Sequence, residues 1–298
     1  MPPPSSAPPK PEAGAKTWTV RTLLGWTQQR FDEVGIDAPR VDAEYLLAFA
    51  LECSRMSLYV EHDKVVNTAE RARFRELVRR RLAREPVAYI EGKRGFHALD
   101  LELHVDRRVL IPRPETEHLV DWVLDEIDPT GTVLDIGTGS GAIALALARA
   151  RPELEVVACD VSEGAVEVAR ANAERLELAV EVLHSDLLAS VPRPEGGWAT
   201  IVSNPPYIRE PDWRELAPEV QQFEPRLALV GGEDGLDVIR RLLVEAVDAL
   251  ASGGRLYLEV GYDQGESVPA LLAEHGLVEI EVRKDFASHP RIVRGRRA

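Results

Sequence analysis

The stretch from Thr132 to Ala148 restricts the fold more than any other part of the chain. Val133-Leu134-Asp135-Ile136 has the length and apolar character of a core strand, Gly137-Thr138-Gly139-Ser140-Gly141 is a turn, and Ala142-Ile143-Ala144-Leu145-Ala146-Leu147-Ala148 is a strong helix start. Strand, glycine-rich turn and helix in that order open an α/β unit with a ligand-facing loop at the strand's carboxyl end. Glycines let the backbone approach a ligand closely, and the helix N-terminus offers N–H groups and a partial positive charge, so a carboxylate or a phosphate can sit there. The dinucleotide fingerprint is G-x-G-x-x-G. This chain instead has Gly137-x-Gly139-x-Gly141 with an acid, Asp135, inside the strand, which tilts the reading towards S-adenosylmethionine.

Three further strands repeat the arrangement. Val156-Val157-Ala158-Cys159-Asp160 ends in an acid placed to hydrogen-bond ribose hydroxyls, and Ser162 can cap a helix from Glu163 to about Arg175. Val180-Glu181-Val182-Leu183-His184 leads to Ser185-Asp186-Leu187, where Asp186 either accepts from an adenine amino group or merely ends the strand. Ala199-Thr200-Ile201-Val202, in an apolar run that begins at Trp198, delivers Asn204-Pro205-Pro206-Tyr207. Two successive prolines remove two N–H donors and force the backbone extended, leaving the carbonyls of Asn204 and Pro205 without ladder partners. One side-chain amide, free carbonyls and a flat aromatic suit a planar group bearing an NH2. The plainer reading is a Pro-Pro turn with Tyr207 as a core plug. Agreement among four strands, each with its polar residue at the carboxyl end, favours a binding site.

At 298 residues and 45% hydrophobic content the chain can hold two domains. A formal charge of −14 argues against a general DNA or RNA binder, whose affinity rests on neutralising phosphates. Cys53 and Cys159 are far apart and outside any Cys-x-x-Cys pair, so neither a disulfide framework nor a metal site is indicated, and a reducing cytoplasm is the expected location. No apolar stretch of about 18 residues and no signal-peptide order of charges occurs, so neither export nor membrane insertion is expected.

The expected organisation is a disordered Pro-rich tail over 1–16, a helical domain over 17–85, a β-hairpin linker over 86–110 and a catalytic domain over 111–298. Helical spacing places Val20, Leu23, Leu24, Thr27 and Phe31 on one face, then Val41, Tyr45, Leu46, Phe49 and Ala50 on another, with Asp42 or the Ala38-Pro39 step as the second helix start. A third helix, about Thr68 to Arg84, turns Phe74, Leu77, Val78 and Leu82 inward and carries Arg71, Arg73, Arg75, Arg79, Arg80, Arg81 and Arg84. Those arginines form either a solvated face with i,i+4 charge pairs or a docking surface for an acidic macromolecule. Tyr89-Ile90 and Leu99, Leu101, Leu103 and Val105 alternate as a hairpin would. Prolines on both sides of Arg113 stiffen Ile111–Glu117, which is a domain joint or a pocket wall, and Thr116 can cap a helix from Glu117 to about Ile127. Asp234 can cap a helix to about Leu250; strands at 255–260, 277–283 and 291–295 and a helix near Gly265–His275 complete seven strands, with Glu259 read as structural.

Leu134 to Gly141, Asp160 and Asn204-Pro205-Pro206-Tyr207 together resemble a class I S-adenosylmethionine-dependent methyltransferase of the amino-methylating Asn/Asp-Pro-Pro-Tyr type. More narrowly, Ile111-Pro112-Arg113-Pro114-Glu115-Thr116-Glu117, Ile201 to Ile208 and Glu224-Pro225-Arg226-Leu227-Ala228-Leu229-Val230-Gly231-Gly232-Glu233-Asp234-Gly235-Leu236 resemble the PrmC/HemK family of peptide chain release factor N5-glutamine methyltransferases, from about Thr17 to Arg297. The resemblance implies a Rossmann-like seven-stranded sheet, a small N-terminal helical substrate-docking domain and a β-hairpin linker. It implies that Gly137, Thr138, Gly139, Ser140 and Gly141 cradle the methionine part of S-adenosyl-L-methionine and Asp160 its ribose, with Asp186, Leu187 and Asn204 completing that site. Asn204 and the Pro205 carbonyl would hold the glutamine amide of a class 1 release factor, with Pro206 and Tyr207 shaping the pocket and Phe96, Arg113 and Glu115 among its walls. Leu187 stands where some relatives carry an aromatic, and Asp285–Arg291 lacks the glycine expected in that loop.

An amide nitrogen is a poor nucleophile because its lone pair is delocalised, so such a site orients it for direct displacement and needs neither metal nor a Cys or His nucleophile. A monomer acting on a protein, with no stable nucleic-acid complex, is the expectation. The alternatives are a ribosomal-protein glutamine, an adenine-N6 nucleic-acid methyltransferase using the same grip on a flipped base, or a silent cofactor-binding adaptor, which would show a damaged motif.

Overall fold

The computed structural model describes residues 17–97 and 101–298; the Pro-rich stretch 1–16 and Leu99 lie outside the described residues. Two compact units divide between Glu91 and Gly92, so the hairpin groups with the C-terminal unit.

The first unit is built from α1 (Val20–Glu33), α2 (Pro39–Leu51), α3 (Arg55–Val60), α4 (Thr68–Leu82) and α5 (Val87–Glu91). Reciprocal capping boxes start α1 at Thr19/Thr22 and α4 at Asn67/Glu70, and Pro39, preset for a first helical turn, starts α2. Phe31, Leu46, Leu47 and Phe74 are among its most deeply buried side chains. Two expectations fail here. On α2 the core is filled by Ala43, Leu46, Leu47 and Ala50, while Val41, Tyr45 and Phe49 are about 40% exposed. The helix is apolar on more than one face, so periodicity alone did not select the inner one; Tyr45 instead carries the Arg55 guanidinium 4.4 Å above its ring. Tyr89 and Ile90 are helical, not extended, because the Pro86 carbonyl accepts both of their N–H groups in a short turn.

The arginines of α4 are largely occupied within the unit. Arg73 pairs with Glu52, Arg79 with Glu76, Arg80 with Glu85 and Arg81 with Asp42, and Arg84 donates to the Val34 and Gly35 carbonyls.

The second unit opens with the antiparallel hairpin β1 (Lys93–Phe96) and β2 (Leu101–His104). There follow α6 (Pro114–Glu126), β3 (Thr132–Ile136), α7 (Ala142–Ala150), β4 (Glu155–Asp160), α8 (Glu163–Arg175), β5 (Val180–His184), β6 (Trp198–Ser203), α9 (Pro218–Phe223), α10 (Asp237–Ala249), β7 (Leu250–Glu259), α11 (Ser267–Glu274), β8 (Leu277–Lys284) and β9 (Pro290–Arg297). β3 to β9 form one seven-stranded sheet in the order β5-β4-β3-β6-β7-β9-β8. The first five of these pair in parallel, and β9 pairs antiparallel with both β7 and β8. From β3 the chain winds outward through β4 to β5, then returns to β6 on the other side of β3. That reversal opens a crevice at the carboxyl ends of β3 and β6.

Asn172 on α8 ties the hairpin to this crevice. Fully buried, it accepts the His104 N–H at 2.7 Å and donates to the carbonyls of His104 and Ser140 at 3.0 and 2.9 Å. Asn172→Ala removes three hydrogen bonds, one of them to the buried Ser140 carbonyl, and is expected to destabilise the protein by about 2 kcal/mol, checked by urea titration of the full chain; a loss under about 0.5 kcal/mol would remove this link from the account.

Candidate active site

A cavity of about 300 Å³ occupies the crevice, within the size range of small-molecule sites. Its floor is the glycine-rich turn. Gly137 and Gly139 adopt φ of +72° and +57°, and a side chain on either would project into open space, so glycine is required there by backbone conformation and not by crowding. The N–H groups of Gly137 and Thr138 both donate to the Cys159 carbonyl at 2.8 and 3.0 Å, pinning the turn to β4. Asp160, at the end of β4, accepts from Gly139 N and Ser162 N, each at 2.9 Å, and Ser162 caps α8. Burial pushes the Asp160 carboxyl above its ordinary range, against those bonds. Asp160, Gly137, Thr138, Gly139 and Ser140 all line the cavity, whereas Gly141 does not and packs against Leu145 of α7.

Asp135 lies beneath the turn, completely buried. One of its oxygens accepts from Thr138 Oγ1 at 2.6 Å and Ala144 N at 3.2 Å, while the other has no hydrogen-bond partner. Burial raises its pKa to about 7.

After β5, Leu187 is buried in the left-handed region, φ +50°, and its carbonyl accepts from Cys159 Sγ at 3.4 Å. Burial lifts the Cys159 thiol to about 12, which makes it inert. Asp186 lines the cavity but is paired with Arg241 of α10 at 2.8 Å, both about half exposed. Arg241, Val238 and Leu242 add a helical wall that sequence reading did not assign; their spacing of three and four places them on one face of α10.

Both ladders of β6, to β3 and to β7, end at Ser203. Asn204, Pro205 and Pro206 therefore enter the cavity wall free of the sheet. Asn204 Nδ2 donates to Thr116 Oγ1 at 3.2 Å, and Thr116 Oγ1 donates to Glu259 Oε2 at 2.7 Å. Thr116 is thus no helix cap. Pro114 takes the first helical position and Arg113 is the N-cap, so Thr116 falls inside the first turn with its hydroxyl aimed at the site. Nor is Glu259 a bystander in its strand. It sits at the carboxyl end of β7, 1% exposed, with a pKa raised to about 7 by burial, against the Thr116 hydrogen bond and the nearby Arg291. The strand-end rule that picked out Asp160 and Asn204 would have found it.

Tyr207 is half-buried and outside the cavity lining; its carbonyl accepts from Gln264 Nε2 at 3.3 Å, and its hydroxyl is pushed up by burial and by Glu259, against Arg291 and Arg113. Phe96, buried in β1, and Glu115, half-buried, are likewise not in the lining, whereas Arg113 is. Arg113 donates to Glu224 Oε1 at 2.6 Å, and Ile111 N to Glu224 Oε2 at 3.1 Å, so one buried carboxylate anchors the Ile111–Arg113 segment. The Gly231-Gly232-Glu233-Asp234-Gly235 loop clasps the strand exit: Ile208 N donates to Leu229 O at 2.8 Å and Gly231 N to Ile208 O at 2.9 Å. A side chain at Gly231 would run into the Pro206 carbonyl, and one at Gly235 into the Tyr207 carbonyl. Asp234 does not start α10; it accepts from Leu236 N and pairs with Arg240, and the helix begins at Asp237.

A parallel sheet reversing beside a glycine turn, with an Asn-Pro-Pro-Tyr exit on the next strand, defines a methyltransferase. Residues 22–92 match the PrmC N-terminal domain and residues 115–218 the methyltransferase small domain. A Rhodopirellula baltica protein named release factor glutamine methyltransferase is 45% identical over 286 residues, 93% of this chain and 95% of its own, and one of the same name from Geobacter sulfurreducens is 41% identical over 94% of this chain and 97% of its own. A methyltransferase from Pyrococcus furiosus, 21% identical with a TM-score of 0.51 over 66% of this chain and 89% of its own, shares the fold. The chain belongs to the release factor glutamine methyltransferase family.

The Glu259 pKa, raised from 4.5 to about 7, makes stability depend on pH. As pH rises through this window the unfolded chain releases the proton first, so this carboxyl's contribution to stability is complete below 4.5 and is lost by about 7. Glu259→Gln removes the titration. The stability of that variant relative to the parent is expected to rise by about 3 kcal/mol between pH 4.5 and 7 and to stay flat above; a difference independent of pH in urea titrations would contradict it.

Proposed function

We propose that the protein transfers the methyl group of S-adenosylmethionine to the side-chain amide nitrogen of the glutamine in the Gly-Gly-Gln motif of class 1 peptide chain release factors. The observation that carries this reading is the placement of Asn204 and Pro205, released from both ladders of β6, on the same cavity as the glycine turn. The names of the relatives support a release factor glutamine as the acceptor, and the Gly-Gly-Gln motif of class 1 factors is what the family resemblance implies.

The residues present fit the cofactor. Gly137 and Gly139 leave their backbone open to the cavity, Asp160 is an acceptor at its edge, and Leu187 and Ile143 offer apolar surface. When bound, S-adenosylmethionine supplies an electrophilic methyl group. On the acceptor side, the Asn204 side-chain oxygen and the Pro205 carbonyl accept the two N–H groups of the glutamine amide. They stabilise positive charge growing on its nitrogen and turn the lone pair into the cavity. Pro112, Arg113 and Leu227 help to wall this end from water. Methylation makes the nitrogen acidic, and its proton passes to solvent water as the site reopens for product release.

The helical unit is assigned the docking of the protein substrate. Tyr45, Phe49, Met56 and Tyr59 are 41%, 40%, 70% and 54% exposed, the aromatic and Met composition of protein interfaces. The arginines of α4 spend much of their charge inside the unit, which supports a protein acceptor over a nucleic acid. A cytoplasmic monomer completes the proposal; no helix among the described residues is long and apolar enough to cross a membrane.

The test is transfer of labelled methyl to a purified release factor, to the same factor with its motif glutamine changed to alanine, and to total RNA and DNA. Label is expected on the intact factor alone, and Asn204→Ala is expected to lower kcat about 100-fold. Label on nucleic acid, or on the alanine version, would overturn the assignment.

A further inference from the structure

We infer that Glu259, acting through Thr116, fixes the Asn204 side-chain amide so that its oxygen, and not its NH2, faces the substrate. The inference rests on the reading that Asn204 holds the acceptor amide. It adds two positioning residues from distant parts of the chain.

Proton counting gives the orientation. The Thr116 hydroxyl has one proton, and at 2.7 Å from Glu259 Oε2 it is donated to a carboxylate that, when ionised, can only accept. Only lone pairs then remain on Thr116 Oγ1. Its other neighbour, the Asn204 amide at 3.2 Å, must offer its NH2, which leaves Oδ1 for the cavity that Asn204 lines. With the amide turned over, two NH2 groups would face one another and the substrate nitrogen would lose an acceptor. The supports are rigid: Glu259 ends β7, which pairs with β6 up to Ser203, and Thr116 lies in the first turn of α6. Thr116 is 4% exposed and Glu259 1%, so water does not compete for the bond between them.

The charged and titratable groups about Glu259 are Arg113 and Glu115 at the start of α6, Tyr207 beyond β6 and Arg291 on β9. Protonated, the Glu259 carboxyl can itself donate to Thr116 Oγ1. The threonine proton is then free for Asn204 Oδ1, and the NH2 turns to the cavity. The raised pKa of about 7 places this reversal at the acid edge of the neutral range.

The experiment compares the full-length parent chain, Thr116→Val and Thr116→Ser in methyl transfer to a release factor. Thermal melting and calorimetric S-adenosylmethionine affinity are measured on each. Thr116→Val is expected to lose at least about tenfold in kcat when assayed below its melting transition, while KM for the factor and cofactor affinity stay near parental values; its melting temperature falls because the Glu259 carboxyl loses its hydrogen bond. Thr116→Ser is expected to restore kcat to within about threefold. The parent and Thr116→Ser should lose kcat on acidification below about pH 7, a limb absent from Thr116→Val. A Thr116→Val kcat within twofold of the parent, or a loss matched by weaker cofactor binding, overturns the inference. The orientation is also read without turnover: the Asn204 side-chain NH2 resonances, identified by their absence from Asn204→Asp, should show a nuclear Overhauser contact to the Thr116 methyl at pH 8, and its absence would overturn the inference. If the parent methylates no release factor, the acceptor assignment falls, and this spectrum still decides the orientation.

Discussion

The site depends on where strand β6 stops. Hydrogen-bonded to β3 on one side and β7 on the other, it is held in the middle of the sheet as far as Ser203 and nowhere beyond. Pro205 and Pro206 have no N–H to continue either ladder, so the stop is written into covalent structure. Backbone released from a sheet would ordinarily wander. Here it is clasped by the loop after Leu229, whose glycines at 231 and 235 lie against the carbonyls of Pro206 and Tyr207, leaving no room for side chains. Glu224, at the head of the same segment, reaches back to Ile111 and Arg113. Two motifs more than a hundred residues apart are thereby one clamp around a single extended backbone.

Local chemistry was the part of this structure that the sequence could disclose. β5 falls on the expected residues, and β3, β4 and β6 differ only at their ends, because short apolar runs closed by glycine, acid or proline have few other solutions. Ser162 caps α8 as its position before an acidic first turn suggested. What stayed hidden was decided by partners far away in the chain. Thr116 has the look of a helix cap, yet Pro114 is the better first residue of a helix and shifts the start by enough to turn the hydroxyl towards Glu259. Glu259 looked structural because its strand is apolar, and only Thr116, brought over it by α6, shows what its carboxyl faces. On α2, both faces are apolar enough to be buried, and the packing of α1 and α4 chose between them. Tyr207 was legible as a motif residue but not in its placement, since a half-buried side chain can turn to either side of the strand exit.

The two units differ in where their polar groups converge. In the helical unit, arginines are paired with carboxylates or with carbonyls, and apolar rings are left at the surface. In the sheet unit arginines are paired as well and Tyr262 and Phe286 are exposed, but polar groups also converge on the carboxyl ends of the central strands. Exposed Tyr, Phe and Met side chains are the composition of protein interfaces. A strand-end crevice with fixed dipoles recognises functional groups.

Asp135 and Glu259 bring these points together. Each is fully buried, each has its pKa raised to about 7, and each accepts from one threonine hydroxyl, Thr138 or Thr116. For stability alone, an apolar residue would serve better at both places, since neither carboxyl has a buried cation bonded to it to offset its lost hydration. Their threonines both line the cavity, one in the glycine turn at the end of β3 and the other opposite the end of β6. The two carboxyls therefore act on the two sides of the crevice in the same manner: each takes the proton of a hydroxyl and so decides which way that hydroxyl's lone pairs point. The stability forgone by burying them is converted into hydrogen-bond direction at the cavity wall, where a methyl transfer between two oriented groups requires it.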